Sequence, residues 1–239
     1  KTTLARAFAQ ALLCQEADRP CLACRACQLV AADRHPDVHL VSPEGTTIKI
    51  EALRELQQIL SLSPVEGDYR ICIVRRMDQA TPSAANSLLK TLEEPPQRAI
   101  LILTASRIEM LLPTIVSRCQ VLSLRPVDMP RIVAALQEQG VEADRARLLA
   151  GLAQGRVGWA LEAGRDPGVL ARREEILTKL LGLEDASYQA RFSWADQLSR
   201  NADQVPGTLD VLTSWWHDVL VLASGSGIEV ANLDRRPVL

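Results

Sequence analysis

The sequence predicts an α/β fold: a mostly parallel sheet layered with helices, followed by an all-helical second half. Three observations predict it. Ile71 to Val74 and Ala99 to Ala105 are short unbroken apolar runs, the mark of strands buried on both faces. Segments with helical spacing of apolar residues separate the strand patterns over residues 1 to 125, which implies an alternating layer architecture. After Arg125-Pro126 the pattern changes to helices alone.

Composition sets the outer bounds. The 239 residues are 47% apolar but only 3% aromatic, so the core has to be built from Leu, Ile, Val and Ala. A formal charge of -2 gives no global electrostatic case for nucleic-acid binding, although a local basic face is compatible with it. No apolar run approaches the roughly 20 residues of a membrane helix, and no signal peptide is visible. The expected location is cytoplasmic. The chain opens on Lys1-Thr2-Thr3 without a Met and ends on Arg235-Arg236-Pro237-Val238-Leu239 without a terminating signal. Truncation at both ends is expected.

The elements follow in order. Leu4, Ala7, Phe8, Ala11 and Leu12 have i, i+3, i+4 spacing and predict a helix over 1–13. Lys1 and Thr2 at its start are half of a phosphate-binding loop, G-x-x-x-x-G-K-[ST], in which Lys reaches phosphate oxygens and the hydroxyl holds Mg²⁺. Alone, the pair is equally an ordinary Lys and Thr at a helix start. Cys14, Cys21, Cys24 and Cys27 follow, spaced C-x6-C-x2-C-x2-C. Clustered cysteines in a cytosolic chain favour a metal, and four thiolates suit a closed tetrahedral Zn²⁺ site; an iron–sulfur centre is the less favoured alternative. Cys72 and Cys119 fall in strand patterns and read as small buried residues.

His35-Pro36 precedes a short strand, Asp37 to Val41. His35 and His39 read as surface or packing residues, since the four cysteines already fill a tetrahedron. Ile48 to Leu62 is a helix with Ile50, Leu53, Leu56, Ile59 and Leu60 on one face. The central strand, 71–76, ends in Arg75-Arg76. Thr81-Pro82 is a helix start, with Thr as N-cap and Pro at N1. That helix runs to Glu93-Glu94 and is stopped by Pro95-Pro96. The strand from Ala99 to Ala105 is expected to be fully buried and carries Thr104 at its C-terminal end, where open α/β sheets bind ligands. A short helix (109–116), Ser117-Arg118-Cys119 and a strand from Gln120 to Leu124 complete the layer. Helices over 128–139, 143–153 and 156–164 are punctuated by Gly140, Gly155 and Gly164, and longer ones follow from 167. The expected domains are 1–125 (α/β, carrying the cysteine module at 14–27), 126–166 (small, helical) and 167–239 (helical). Trp215, Trp216 and His217 read as packing residues of an apolar helix.

Taken together, Lys1-Thr2-Thr3, the four-cysteine module, Asn86-Ser-Leu-Leu-Lys-Thr-Leu-Glu-Glu-Pro-Pro96 and Ser117-Arg118-Cys119 occur in an order that resembles the bacterial clamp-loader branch of the AAA+ superfamily. Within it the chain is more similar to the delta prime family of DNA polymerase III than to the gamma/tau motor. The resemblance covers about residues 1–180. The motor carries Asp-Glu where this chain has Arg75-Arg76, and a guanidinium neither coordinates Mg²⁺ nor acts as a base. The motor's sensor Arg, in a Gly-x-x-Arg-x-Ala-Leu pattern, is replaced by Gly158 within Gly155-Arg-Val-Gly158-Trp-Ala-Leu161. The loop from Met77 to Asn86 also resembles delta prime.

The resemblance implies an AAA+ parallel sheet with a zinc module, a small helical domain and a helical collar. It implies a subunit that does not hydrolyse ATP but offers Arg118 as an arginine finger to the ATP of the neighbouring motor during loading of the sliding clamp onto primed DNA. Gamma/tau and delta subunits are the implied partners in a hetero-oligomer, with the sliding clamp and primer–template DNA as indirect ones and no membrane. Lys1, Thr2 and Thr104 are candidate residues of a degenerate nucleotide site for ATP and Mg²⁺. An active gamma/tau-like P-loop ATPase is the alternative reading, and a plain zinc-binding interaction module explains fewer of these motifs.

Overall fold

The computed structural model describes residues 1–183, 185–227 and 229–235. The chain divides into two compact units, one spanning residues 1–124 and the other beginning at residue 125.

In the first unit, α1 (Thr2–Leu13) and α2 (Arg25–Ala31) precede β1 (Val38–Val41) and α3 (Ile50–Ser61). Then come β2 (Arg70–Val74), α4 (Pro82–Ser87), α5 (Leu89–Glu93), β3 (Ala99–Leu103) and α6 (Pro113–Val116). The three strands are parallel in the order β1-β2-β3, with Val38 beside Ile71 and Arg70 beside Ala99 at the start of the two ladders. β2 is central, and its alternating side chains go to opposite layers. Cys72 and Val74 pack with Leu53, Leu56 and Leu60 of α3 and Ala84, Ala85 and Leu88 around α4. Ile71 and Ile73 pack with Ala5, Ala9 and Leu13 of α1 and Val30 of α2. Each such buried Ile or Leu contributes about 1.5–3 kcal/mol, and this two-sided burial is why the run reads as continuously apolar.

Thr81 caps α4 as the sequence predicts: its side chain accepts from Ala84 N at 3.3 Å and Pro82 opens the helix. The expected single helix is interrupted at Leu88, where Ser87 Oγ donates to the carbonyl of Ala84 at 2.7 Å and competes with the helical pattern.

Three expectations are corrected. β3 is half-buried along its whole length, because no described strand lies beyond it. Residues 120–124 form no strand; Val121, Leu122 and Leu124 are exposed, Leu122 by 75%. An apolar run becomes a strand only beside a hydrogen-bonding neighbour, and none of the described strands pairs with it. Cys119 accordingly lies in a turn, half-buried, rather than in a strand.

In the second unit α7 (Met129–Glu138), α8 (Ala143–Ala153) and α9 (Val157–Arg165) enclose Ile132, Leu136, Leu149 and Ala160. Gly155, at φ +80°, joins α8 to α9; a Cβ there would come within 2.3 Å of Pro126 Cβ, so only glycine fits. α10 (Val169–Gly182), α11 (Tyr188–Ser199) and α12 (Val205–Ala223) follow. Arg173 of α10 donates to Asn232 Oδ1 at 2.6 Å, while Asn232 N donates to Asp218 Oδ2 of α12 at 2.7 Å, so a buried polar network ties the last described segment to both helices. Trp215 is buried in α12, as a packing residue should be, whereas Trp216 is half exposed. No described helix is long and apolar enough to cross a membrane.

Candidate functional site

Three clusters lie in the first unit. The first is at the C-terminal end of the sheet. β2 delivers Arg75 and Arg76, both exposed, and Arg76 adopts the left-handed conformation at φ +51°. That turn aims Arg76 N at Thr104 Oγ1, 3.2 Å away, and Met77 N at Thr104 O, 2.7 Å away. A non-glycine residue in this region costs about 1–2 kcal/mol, so the turn is held by its contacts. Lys1 Nζ donates to the carbonyls of Ala105 and Ser106, the latter at 3.0 Å, and Asp78 Oδ1 accepts from Ser106 N at 3.0 Å. Lys1 and Thr104 are therefore brought to one edge, with Thr2 opening α1 beside Lys1. The carboxylate here, Asp78, is committed to a backbone amide, and two cations stand where β2 ends.

Arg118 belongs to a second cluster. The sequence places it to project from the domain; the structure folds it back. Its Nε donates to Glu93 Oε1 at 2.9 Å and its Nη2 approaches the same oxygen at 2.5 Å. Nη1 donates to the carbonyl of Thr114 at 2.9 Å and to Ser117 Oγ at 3.3 Å. Glu93 ends α5, one residue short of Pro95 and Pro96 with Glu94 between, and Arg118 follows α6, so the ion pair joins the ends of two short helices.

The third cluster is the cysteine module. Cys14 caps the end of α1, Cys24 precedes α2 and Cys27 lies within it. The four Sγ atoms lie within 4.8 Å of one another, with Cys14–Cys24 at 3.9 Å and Cys21–Cys27 at 4.0 Å. Tetrahedral Zn–S bonds of about 2.3 Å would set sulfurs about 3.8 Å apart, so the donor set fits one metal ion. Backbone N–H groups of Cys24 and Ala23 lower the Cys21 thiol to about 7, Cys24 N being 3.2 Å from its sulfur. Burial pushes the Cys27 thiol up to about 12, a penalty that a bound cation would reverse.

Asp37 anchors this module from below, and the sequence did not reveal it. Its side chain is fully buried and accepts from Val65 N, Glu66 N and Gly67 N at 2.6, 2.8 and 2.9 Å, with Arg70 Nη2 at 3.5 Å. Burial alone would raise its pKa, but the three amides and then Arg70 outweigh it, and the carboxyl titrates below its usual range. The held loop reaches the module: Glu66 forms a two-pronged ion pair with Arg25 of α2, and Gly67 sits against Leu13 so closely that a Cβ would meet Leu13 Cδ2 at 2.3 Å. His35 is buried, with Nδ1 accepting from Asp37 N, and His39 is half-buried beside Arg70; neither touches the cysteine sulfurs through any hydrogen bond described.

Comparison with known proteins places these clusters in a family. The family described as "DNA polymerase III, delta subunit" matches residues 1–128. DNA polymerase III subunit delta' of Bacillus subtilis is 34% identical over 231 residues, covering 95% of this chain and 70% of that protein. The chain belongs to the DNA polymerase III delta prime family. The Escherichia coli subunit delta' is 32% identical over 234 residues, covering 95% of this chain and 68% of that one. DNA polymerase III subunit tau of Bacillus subtilis is 31% identical over 140 residues, covering 58% of this chain and 25% of tau. In this delta prime chain Gly158 is the second residue of α9, and a Cβ there would have nothing within 4 Å. The absence of a side chain at Gly158 is thus not demanded by packing.

Proposed function

We propose that this chain is a non-hydrolysing subunit of a bacterial clamp loader, which completes an ATP site on a neighbouring gamma/tau-type motor by supplying Arg118 while the sliding clamp is loaded onto primed DNA. The observation that carries the reading is the end of β2. Hydrolysis of ATP at this sheet edge needs carboxylates that hold Mg²⁺ and orient water. Arg75 and Arg76 stand there instead, and Asp78 is occupied by Ser106 N. With no means of hydrolysis in cis, what this chain contributes to turnover is a cation in trans. Such a finger neutralises charge on the transferred phosphoryl group and is worth roughly 10³–10⁵ in rate.

Lys1, Thr2 and Thr104 then form a remnant nucleotide site in which ATP and Mg²⁺ are at most held. The four cysteines hold a structural Zn²⁺, closed to substrate because all four positions are protein sulfur. The second unit comprises a small helical domain at 126–166 and a collar from 167 that joins this subunit to gamma/tau and delta neighbours. The test is turnover of the chain alone and in mixture. Alone it should release no phosphate above background, and addition to motor and delta subunits with primed DNA should raise theirs. Hydrolysis by the chain alone that disappears in Lys1→Ala would favour the motor reading.

A further inference from the structure

We propose that Glu93 is the positioning residue for Arg118, an inference that rests on the trans-acting role proposed above. The guanidinium has five N–H donors in a fixed fork. Glu93 Oε1 takes the Nε and Nη2 edge, at 2.9 and 2.5 Å, and the Thr114 carbonyl and Ser117 Oγ take Nη1. The named contacts leave the second Nη2 proton for an incoming oxyanion. Arg118 is 34% exposed and Glu93 50%, so the pair sits at the surface with one face still open to a neighbour.

The position of Glu93 is informative. It is the last residue of α5, where the helix leaves carbonyls without partners and where the macrodipole disfavours a carboxylate. A glutamate at such a site is stabilised by a cation close by, and Arg118 is that cation. Pro95 and Pro96, beginning two residues further on, stop the helix, which fixes where the carboxylate sits. A freely rotating arginine would have to be ordered at the moment of reaction; one already held by its inner edge has lost that freedom beforehand. A donor aimed in advance at developing phosphate charge acts on the transition state more than on ATP binding.

The experiment is steady-state ATPase of the reconstituted loader on primed DNA, over a range of ATP concentrations, with Glu93→Ala, Glu93→Gln, Arg118→Ala and the Glu93→Ala/Arg118→Ala double variant. For a half-exposed charged pair, Glu93→Ala should lower kcat about 3- to 10-fold and leave KM for ATP within about twofold. Glu93→Gln keeps an acceptor oxygen for Nε–H and should recover most of the loss. In the Arg118→Ala background, Glu93→Ala should add nothing. Unchanged or faster turnover in Glu93→Ala, or losses that multiply in the double variant, would overturn the positioning role. If Glu93→Ala does not fold, Glu93→Gln decides alone: turnover depressed as far as in Arg118→Ala contradicts the proposal. Arg118→Ala with normal turnover would instead refute the finger reading itself, a result distinct from failure at Glu93.

Discussion

Replacing Asp37 by Asn probes the anchor beneath the cysteine module with almost no change in shape. The native carboxylate accepts one N–H at Oδ1 and two at Oδ2, and faces a buried Arg70. An amide keeps one acceptor oxygen. Turned to retain Glu66 and Gly67, it sets its own NH₂ against Val65 N and leaves that donor unsatisfied, at about 1–3 kcal/mol. It also removes the countercharge of Arg70, which is 5% exposed and whose guanidinium, among the described residues, keeps the Ser63 carbonyl and the His39 ring as partners. Breaking a buried pair by removing one member costs about 3–5 kcal/mol, and the 3.5 Å separation here argues for the lower end. The expected total is about 3 kcal/mol, or a fall in Tm of about 6–12 °C for a chain of this size. Urea unfolding followed by circular dichroism reads it. The folded-state pKa of Asp37 is depressed, so its contribution is fully present above the unfolded carboxyl pKa of 3.8 and is lost as pH falls through the lower, folded value. The gap between native and Asn chains should therefore close on acidification below pH 3.8 and stay constant from there to neutrality. A loss under about 1 kcal/mol at pH 7 would refute the reasoning, because it would mean that the three amides find other partners.

Two further outcomes are expected. The purified chain should carry one Zn²⁺ by elemental analysis, and Cys27→Ser should lose it and lower Tm with little change in the sheet; retention of metal in that variant would contradict the four-sulfur site. Gly158→Arg should fold and gain stability by roughly 0.5 kcal/mol, since a better helix former enters open space near a helix start. It should not create ATPase activity, because Arg75 and Arg76 remain; a loss above about 1 kcal/mol in urea unfolding would show that the site is crowded.

The layer architecture was legible because its physics is local. β2 is apolar at every position from Ile71 to Val74 since both faces are covered, and α3 shows its stripe because only one face is. Thr81-Pro82 and Pro95-Pro96 mark helix limits through backbone chemistry that needs no partner. The cysteine cluster was legible by spacing alone. Legibility ends where a partner lies far along the chain. Residues 120–124 have strand composition without a strand neighbour among those described. Asp37 reads as the start of a strand, and nothing in its surroundings announces amides 28 to 30 positions later. Arg118 reads as projecting because Glu93, 25 positions earlier, was read only as the end of a helix. A charged residue at a helix end of unfavourable sign is the signal that could have suggested that pair.

The central claim is that this chain acts on an ATP it does not hold. The most direct measurement is single-turnover ATP hydrolysis by the reconstituted loader with Arg118→Ala in this subunit, at saturating ATP and primed DNA, with ATP binding measured on the same complex. The expected result is unchanged binding and assembly, with hydrolysis at the adjoining site slowed by about 10³-fold or more. Hydrolysis at the native rate with Arg118 absent would contradict it.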